Sequence, residues 1–116
     1  MTYRSKEELE GGIAEYLAFC HRERTAARAS ELAAFLNLGY QNLFRLCKRL
    51  LGSPPKAVLR SHQLSFSEGL LRSGSIPVAE IGLMAGFGDS RTFYRAIRRR
   101  FGCSPMLLRH AVIKCP

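Results

Sequence analysis

No apolar run in this chain approaches the roughly 18 residues a membrane helix needs, so no membrane span is expected. The first residues, MTYRSKEELEGG, carry no apolar stretch behind their basic side chains, and no secretory signal is expected either. No C-x-x-C or C-x-x-H pair occurs: Cys20, Cys47, Cys103 and Cys115 are separated by 27, 56 and 12 residues. His21, His62 and His110 are equally scattered, so neither a metal site nor a cofactor is expected, and the thiols read as free in a reducing cytoplasm. Tryptophan is absent, and 10 glycines and 5 prolines among 116 residues are too few for collagen-like or low-complexity sequence. Alternating strand patterns and hairpin turns are missing throughout.

Acidic residues are the most informative shortage. Nine Asp and Glu stand against 18 Lys and Arg, a net charge of +9 and a pI near 10.0. A domain this basic points to a polyanionic partner, nucleic acid before an anionic membrane surface. The excess is concentrated. Residues 41–60 hold Arg45, Lys48, Arg49, Lys56 and Arg60 and no acid. Residues 89–109 hold Arg91, Arg95, Arg98, Arg99, Arg100 and Arg109 against Asp89 alone. The remainder of the chain is close to neutral.

What is present reads as helix. Ser5 followed by Glu8 is a capping box, and Leu9, Ile13, Tyr16 and Cys20 continue from it at helical spacing over about 5–22. Ser30 is placed to cap a short helix ending at Asn37-Leu38-Gly39. A second helix follows from Tyr40 with Leu43, Cys47 and Leu50 on its apolar face. Gly52-Ser53-Pro54-Pro55 stops it, and a helical pattern then runs to about Arg72 before Gly74. Pro77 opens a short helix ending at Gly86-Phe87-Gly88. Asp89 caps a helix burying Phe93, Ile97 and Phe101, and Ser104-Pro105 opens the last one. The expectation is an all-α fold of about seven helices.

A repeat lies inside this pattern. Shifting by 50 places Leu43, Arg45, Arg49, Gly52 and Pro55 on Phe93, Arg95, Arg99, Gly102 and Pro105, and four of the five pairs are identical. Each copy has a short helix, a glycine-containing turn and a longer helix, the order of a helix-turn-helix. The expected organisation is an N-terminal helix plus first helix-turn-helix over 1–53, a linker helix over 54–73 and a second helix-turn-helix subdomain over 74–116.

These residues resemble the AraC/XylS family of bacterial transcription regulators over about 6–110. The most specific stretch is Val78-Ala79-Glu80-Ile81-Gly82, then Gly86-Phe87-Gly88-Asp89, Phe93-Tyr94-Arg95, Gly102-Cys103-Ser104-Pro105 and Arg109. Leu32-Ala33, Leu43-Phe44-Arg45, Lys48, Gly52 and Pro55 carry it in the first half. The resemblance implies two helix-turn-helix subdomains joined by a central helix, with recognition helices entering successive major grooves on one face of DNA. It also implies an activator, either a stand-alone member or the C-terminal domain of a longer one. The family pattern is broken where Cys47 replaces Phe, Gln63 replaces Arg, Ser67 replaces Ala, Gly39 replaces a capping Ser and Gly82 replaces Ala. A smaller first core and a weaker cap on the first recognition helix are therefore expected.

With the apolar stripes turned inward, the two outward faces suit a major groove. Arg reads guanine, Asn or Gln reads adenine, and the first turns of a recognition helix reach base edges. The expected base-contacting residues are Gln41, Asn42 and Arg45 for one groove and Ser90, Arg91 and Arg95 for the other. Lys48, Arg49, Lys56, Arg98 and Arg99 are the expected phosphate contacts. The expected partners are double-stranded DNA and, for an activator, RNA polymerase, with no membrane partner; a stand-alone chain would act as a monomer on the bacterial nucleoid. The alternative is a protein-binding adapter or anti-activator on the same fold, using Phe66, Tyr3 and the acidic first helix. An enzyme is not expected: the remaining reading, a cysteine-based alkyl-transfer protein, needs an activated thiolate, for which Cys103 beside Arg99 and Arg100 is the candidate.

Overall fold

The computed structural model describes residues 3–111; Lys114 and Cys115 lie outside the described residues. Seven α-helices follow one another, with no strand among the described residues: α1 (Lys6–Glu23), α2 (Ala29–Phe35), α3 (Tyr40–Leu46), α4 (Pro55–Ser73), α5 (Val78–Met84), α6 (Ser90–Phe101) and α7 (Pro105–Ala111). The all-helical architecture agrees with the periodicity. α1 starts at the Ser5–Glu8 box, where Ser5 Oγ accepts from the Glu8 amide at 3.1 Å and Glu8 Oε1 accepts from the Ser5 amide at 3.2 Å.

Two local expectations are corrected. Ser30 does not cap α2; it is already helical, and the cap position belongs to Arg28, which makes no side-chain capping bond. The Arg28 backbone is instead held by Tyr16 of α1, whose buried hydroxyl accepts from its amide at 3.0 Å and donates to its carbonyl at 3.3 Å. A phenol supplied by another helix thus anchors the residue at the N-cap, although it does not accept from a first-turn amide as a capping serine would. Second, α3 does not continue as an α-helix to Gly52 but widens into a π-helical turn over Cys47–Leu51. Cys47 is smaller than Ile97, its counterpart in the second unit. Leu46, absent from the expected apolar stripe, is buried beside it, three residues after Leu43, while Leu50 is only partly buried.

The helices build two cores that share α4. Leu9, Ile13, Tyr16, Cys20, Leu32 and Leu43 form the first, closed by Val58 and Leu59 from the start of α4. Leu71, Ile81, Phe93, Ile97 and Leu108 form the second, and α4 reaches it from Leu64 onward. The duplication is visible in the backbone. Tyr40–Leu51 of α3 and its π turn corresponds at an offset of 50 to Ser90–Phe101 of α6, and both end on a left-handed glycine, Gly52 at φ 76° and Gly102 at φ 77°. Preceding helices α2 and α5 correspond at an offset of 49, because the second turn is one residue longer.

The two units meet where that longer turn touches the loop after α1. The Gly86 carbonyl accepts the Ala27 amide at 2.8 Å and Gln63 Nε2 at 2.9 Å, and Gln63 Nε2 also reaches the Ala85 carbonyl at 3.0 Å. Gly86 has φ +79°, and a Cβ added there would lie 3.2 Å from Ala27 Cβ, so both its conformation and the approach of the loop require glycine. α5 and α6 close by a second tight approach: a Cβ on Gly82 would lie 2.8 Å from Phe93 Cγ. Ser67, fully buried on α4, donates to the Gln63 carbonyl at 2.8 Å, so both polar departures on the central helix are satisfied in place.

Gln63→Ala removes both side-chain bonds and leaves the Ala85 carbonyl without that donor. It is expected to lower stability by about 1–3 kcal/mol, seen as a lower urea midpoint at unchanged slope. The Asp89 carboxylate caps α6 by accepting from the Thr92 amide at 2.8 Å, and that bond holds its pKa below the ordinary Asp value. A depressed folded-state pKa gives stability present at neutral pH and lost as pH falls through the carboxylate range. Asp89→Ala is therefore expected to be less stable than the parent at pH 7, with the gap narrowing on acidification when thermal unfolding is followed across that range.

Candidate nucleic-acid interface

α3 buries Leu43 and Leu46, and the opposite face carries Gln41, Asn42, Phe44 and Arg45, all exposed. Arg45 Nη1 donates to Asn42 Oδ1 at 3.2 Å, a bond across one helical turn. It ties the two side chains together and leaves the Asn42 amide hydrogens for another acceptor. Lys48 and Arg49 stand on the π turn, also exposed. α6 buries Phe93 and Ile97 and exposes Ser90, Arg91, Tyr94, Arg95, Arg98, Arg99 and Arg100. Asp89 caps α6 and nothing of the kind caps α3, where Gly39 stands at the N-cap without a side-chain bond.

The outward residues are not scattered. One open groove runs between α2, the start of α3 and α4, bordered by Arg28, Tyr40, Lys56 and Arg60. A second runs between α4 and α6, bordered by Arg60, Thr92, Arg95, Arg99 and Arg100. Arg60 borders both, and the two grooves that share this side chain make up a trough on the central helix. Arg28, Lys56, Arg60, Arg95, Arg99 and Arg100 are its six cations, and no Asp or Glu borders either groove. Arg60 is also the most tethered of them. Its guanidinium carbon lies 4.9 Å from the centroid of the Phe87 ring, which in turn packs against Phe93 at 5.3 Å. Burial lowers the Arg60 pKa from its ordinary value, which still leaves the side chain charged at neutral pH.

The structure thus groups the sequence candidates differently from the helix faces alone. Lys56 borders one side of the trough and Arg95 and Arg99 the other, a base-contact and a phosphate candidate on one flank of α6. Ser90, Arg91 and Arg98 belong to the other exposed parts of α6, and Gln41, Asn42, Arg45, Lys48 and Arg49 to the exposed surface of α3 and its π turn. Sequence reasoning missed Arg28, Tyr40, Arg60 and Arg100 as members of the site. A signal for Arg60 was present: Lys56 and Arg60 are four apart directly after Pro55, on one face of a helix in the acid-free segment. Arg109 has the opposite fate. Its Nε donates to the Leu71 carbonyl at 3.1 Å and its Nη2 to the Ile76 carbonyl, so it seals the C-terminal end of α4.

Other chemistry has less to stand on. Burial pushes the Cys47 thiol up to about 11 and raises Cys20 as well, so neither is a thiolate at neutral pH. Cys103 is partly buried against the second core. Tyr3 packs partly buried against the first core, whereas Phe66 is exposed and borders an apolar cavity of about 300 Å³ between α1, α4 and α5. Among the described residues no helix is long and apolar enough to cross a membrane.

A family described as a helix-turn-helix domain matches residues 32–111. The chain is 28% identical over 78 residues to the virulence regulon transcriptional activator VirF of Yersinia enterocolitica, covering 67% of this chain and 29% of that protein. It is 25% identical over 88 residues to the transcriptional regulator ExsA of Pseudomonas aeruginosa, covering 76% and 32%. To the raffinose operon transcriptional regulatory protein RafR of Pediococcus pentosaceus it is 30% identical over 88 residues, again covering 76% and 32%. Each match spans about three tenths of the relative's length. No solved structure gives a significant match. The paired units, the resemblance carried by Val78 to Arg109 and these relatives agree: the chain belongs to the AraC/XylS family of helix-turn-helix transcription regulators.

Proposed function

We propose that this domain binds double-stranded DNA sequence-specifically, with α3 and α6 in two successive major grooves on one face of the duplex, and that it serves to activate transcription. The observation that carries this reading is the carboxylate-free trough joining the start of α3 to α6 across α4. A cation row bordered by no acid follows a phosphate backbone, and release of its condensed counterions favours binding. Dimensions are compatible. Nineteen residues of α4 make about 28 Å of helix at 1.5 Å per residue. The long axis of the molecule is 43 Å, enough to place two reading heads about 34 Å, one turn of DNA, apart. One chain then carries both heads, so a monomer suffices for an asymmetric two-part site. VirF is an activator, which supports the same role here and makes RNA polymerase the second partner.

In this reading Gln41, Asn42 and Arg45 meet base edges in one groove, and Ser90, Arg91 and Arg95 in the other. Lys48, Arg49, Lys56, Arg98 and Arg99, together with Arg28 and Arg100, meet phosphates. Arg45 and Arg95 occupy equivalent places in the duplicated units, where a bidentate contact to guanine contributes about 1–3 kcal/mol of discrimination.

Selection of binding sites from random DNA is the direct test. The expected product is a two-part motif with centres about 10–10.5 base pairs apart; a single half-site, or no motif, overturns the reading. Arg45→Ala and Arg95→Ala are each expected to relax base preference in one half-site only, at a cost of about 1–3 kcal/mol to the preferred sequence. Arg99→Ala is expected to weaken binding to all sequences alike and to flatten the dependence of log K on log salt by about one.

A further inference from the structure

We propose that Arg60 reads the minor groove between the two half-sites and makes the domain prefer A·T pairs at positions that neither recognition helix touches. The proposal rests on the two-groove reading above and adds a third point of recognition to it. On B-DNA, two major-groove segments one turn apart on the same face are separated on that face by the minor groove. Whatever the protein presents midway between its reading heads therefore faces that minor groove and its flanking phosphates.

Arg60 holds this position. Along α4 it follows Leu59, the last α4 residue of the first core, and precedes Leu64, the first of the second. It borders both grooves of the trough, with Lys56 and Tyr40 to one side and Arg95 and Arg99 to the other. No Asp or Glu borders either groove to neutralise it. Stacking on Phe87, a residue 6% exposed, already restricts the long side chain, so less freedom is lost when it engages DNA.

The chemistry selects the sequence. Runs of A·T narrow the minor groove and deepen its negative potential, which attracts an inserted arginine. G·C pairs place the guanine 2-amino group on the groove floor. A guanidinium is more weakly hydrated than an ammonium and gives up its water more readily on entering a narrow groove. Arginine and lysine at this position should therefore differ in sequence preference although their charge is equal.

The test uses the full 116-residue chain with DNA in which both selected half-sites are fixed and only the spacer varies. The wild type is expected to favour an A·T-rich spacer over a G·C-rich one by roughly fivefold or more. Replacing spacer G·C by inosine·C, which removes the 2-amino group and leaves the major-groove edge of guanine intact, is expected to restore most of that difference. Arg60→Lys is expected to lose the spacer preference, read as the ratio of affinities for the two spacers and so independent of any loss in overall affinity. Arg60→Met, which keeps an apolar stem against Phe87, is expected to do the same with a smaller salt slope; melting temperatures near the parent's confirm that both variants fold. Equal affinity of the wild type for all spacers overturns the proposal. So does a spacer preference that survives in Arg60→Lys and Arg60→Met, which assigns it to DNA flexibility alone. Either result leaves the half-site motif standing, whereas failure to select any two-part motif overturns the two-groove reading itself.

Discussion

The arrangement of the molecule depends on one backbone carbonyl. Gly86 O receives the Ala27 amide from the loop after α1 and Gln63 Nε2 from the central helix, at 2.8 and 2.9 Å. These two bonds join three elements, the first unit's entry loop, the linker and the second unit's turn, at one point. Without them the two helix-turn-helix units would be joined by α4 and by the packing of α1 against α5, and a helix fixes distance far better than it fixes rotation of what hangs from its ends. Rotation is what decides whether two exposed helix faces lie along one duplex. The positive φ of Gly86 and the 3.2 Å approach to Ala27 Cβ explain why the turn has no side chain there. Gln63 Nε2 donates to two carbonyls at once, which an apolar residue cannot do and which leaves no charge buried beside the junction.

α4 has two duties that compete for its surface. Val58 and Leu59 serve the first core and Leu64 and Leu71 the second, while Lys56 and Arg60 remain outside in the trough. Cationic side chains so close to one another repel, and an isolated domain gains nothing from gathering them without counter-charges. The arrangement becomes favourable when a polyanion lies along it. By contrast, charges that serve the fold have partners: Arg72 pairs with Glu68 at 2.7 Å, and Arg109 donates to the Leu71 and Ile76 carbonyls. The protein thus has arginines bonded within the fold, Arg72 and Arg109, and others that border the two grooves, Arg28, Arg60, Arg95, Arg99 and Arg100.

Much of this was legible in the residues. Helix boundaries marked by Ser5, Pro55, Asp89 and Ser104 were readable because a cap is a local event, decided within four residues of sequence. The duplication was readable because Arg45 and Arg95 or Gly52 and Gly102 recur at a constant offset. What was not legible involved partners distant in sequence. Ser30 looked like a cap, but α2 begins one residue earlier, after Arg28, whose backbone is held by Tyr16 twelve residues before it. The π turn over Cys47–Leu51 has no counterpart in the second unit, where α6 stays regular. Gln63, a departure from the family pattern, bonds across 22 and 23 residues and ties the linker down. Arg60 was missed for the same reason, since its importance comes from the two grooves that fold up on either side of it.

The duplicated units are not equivalent in rigidity, and the difference has a direction. α6 has an Asp89 cap, a regular twelve-residue course and the tilted Phe87–Phe93 ring pair beneath it. α3 has an uncapped start at Gly39, seven residues of α-helix and a π-helical end over a cysteine. Amide groups left without a cap and a widened final turn cost a helix cooperativity at both ends, where it has least to spare. The junction at Gly86 stands directly before the better-ordered helix. α6 and α4 therefore form the fixed frame of the trough, and α3 is the part with freedom to adjust. On the proposed two-groove reading, the better-ordered head would set the register and the softer one would tolerate variation in its half-site.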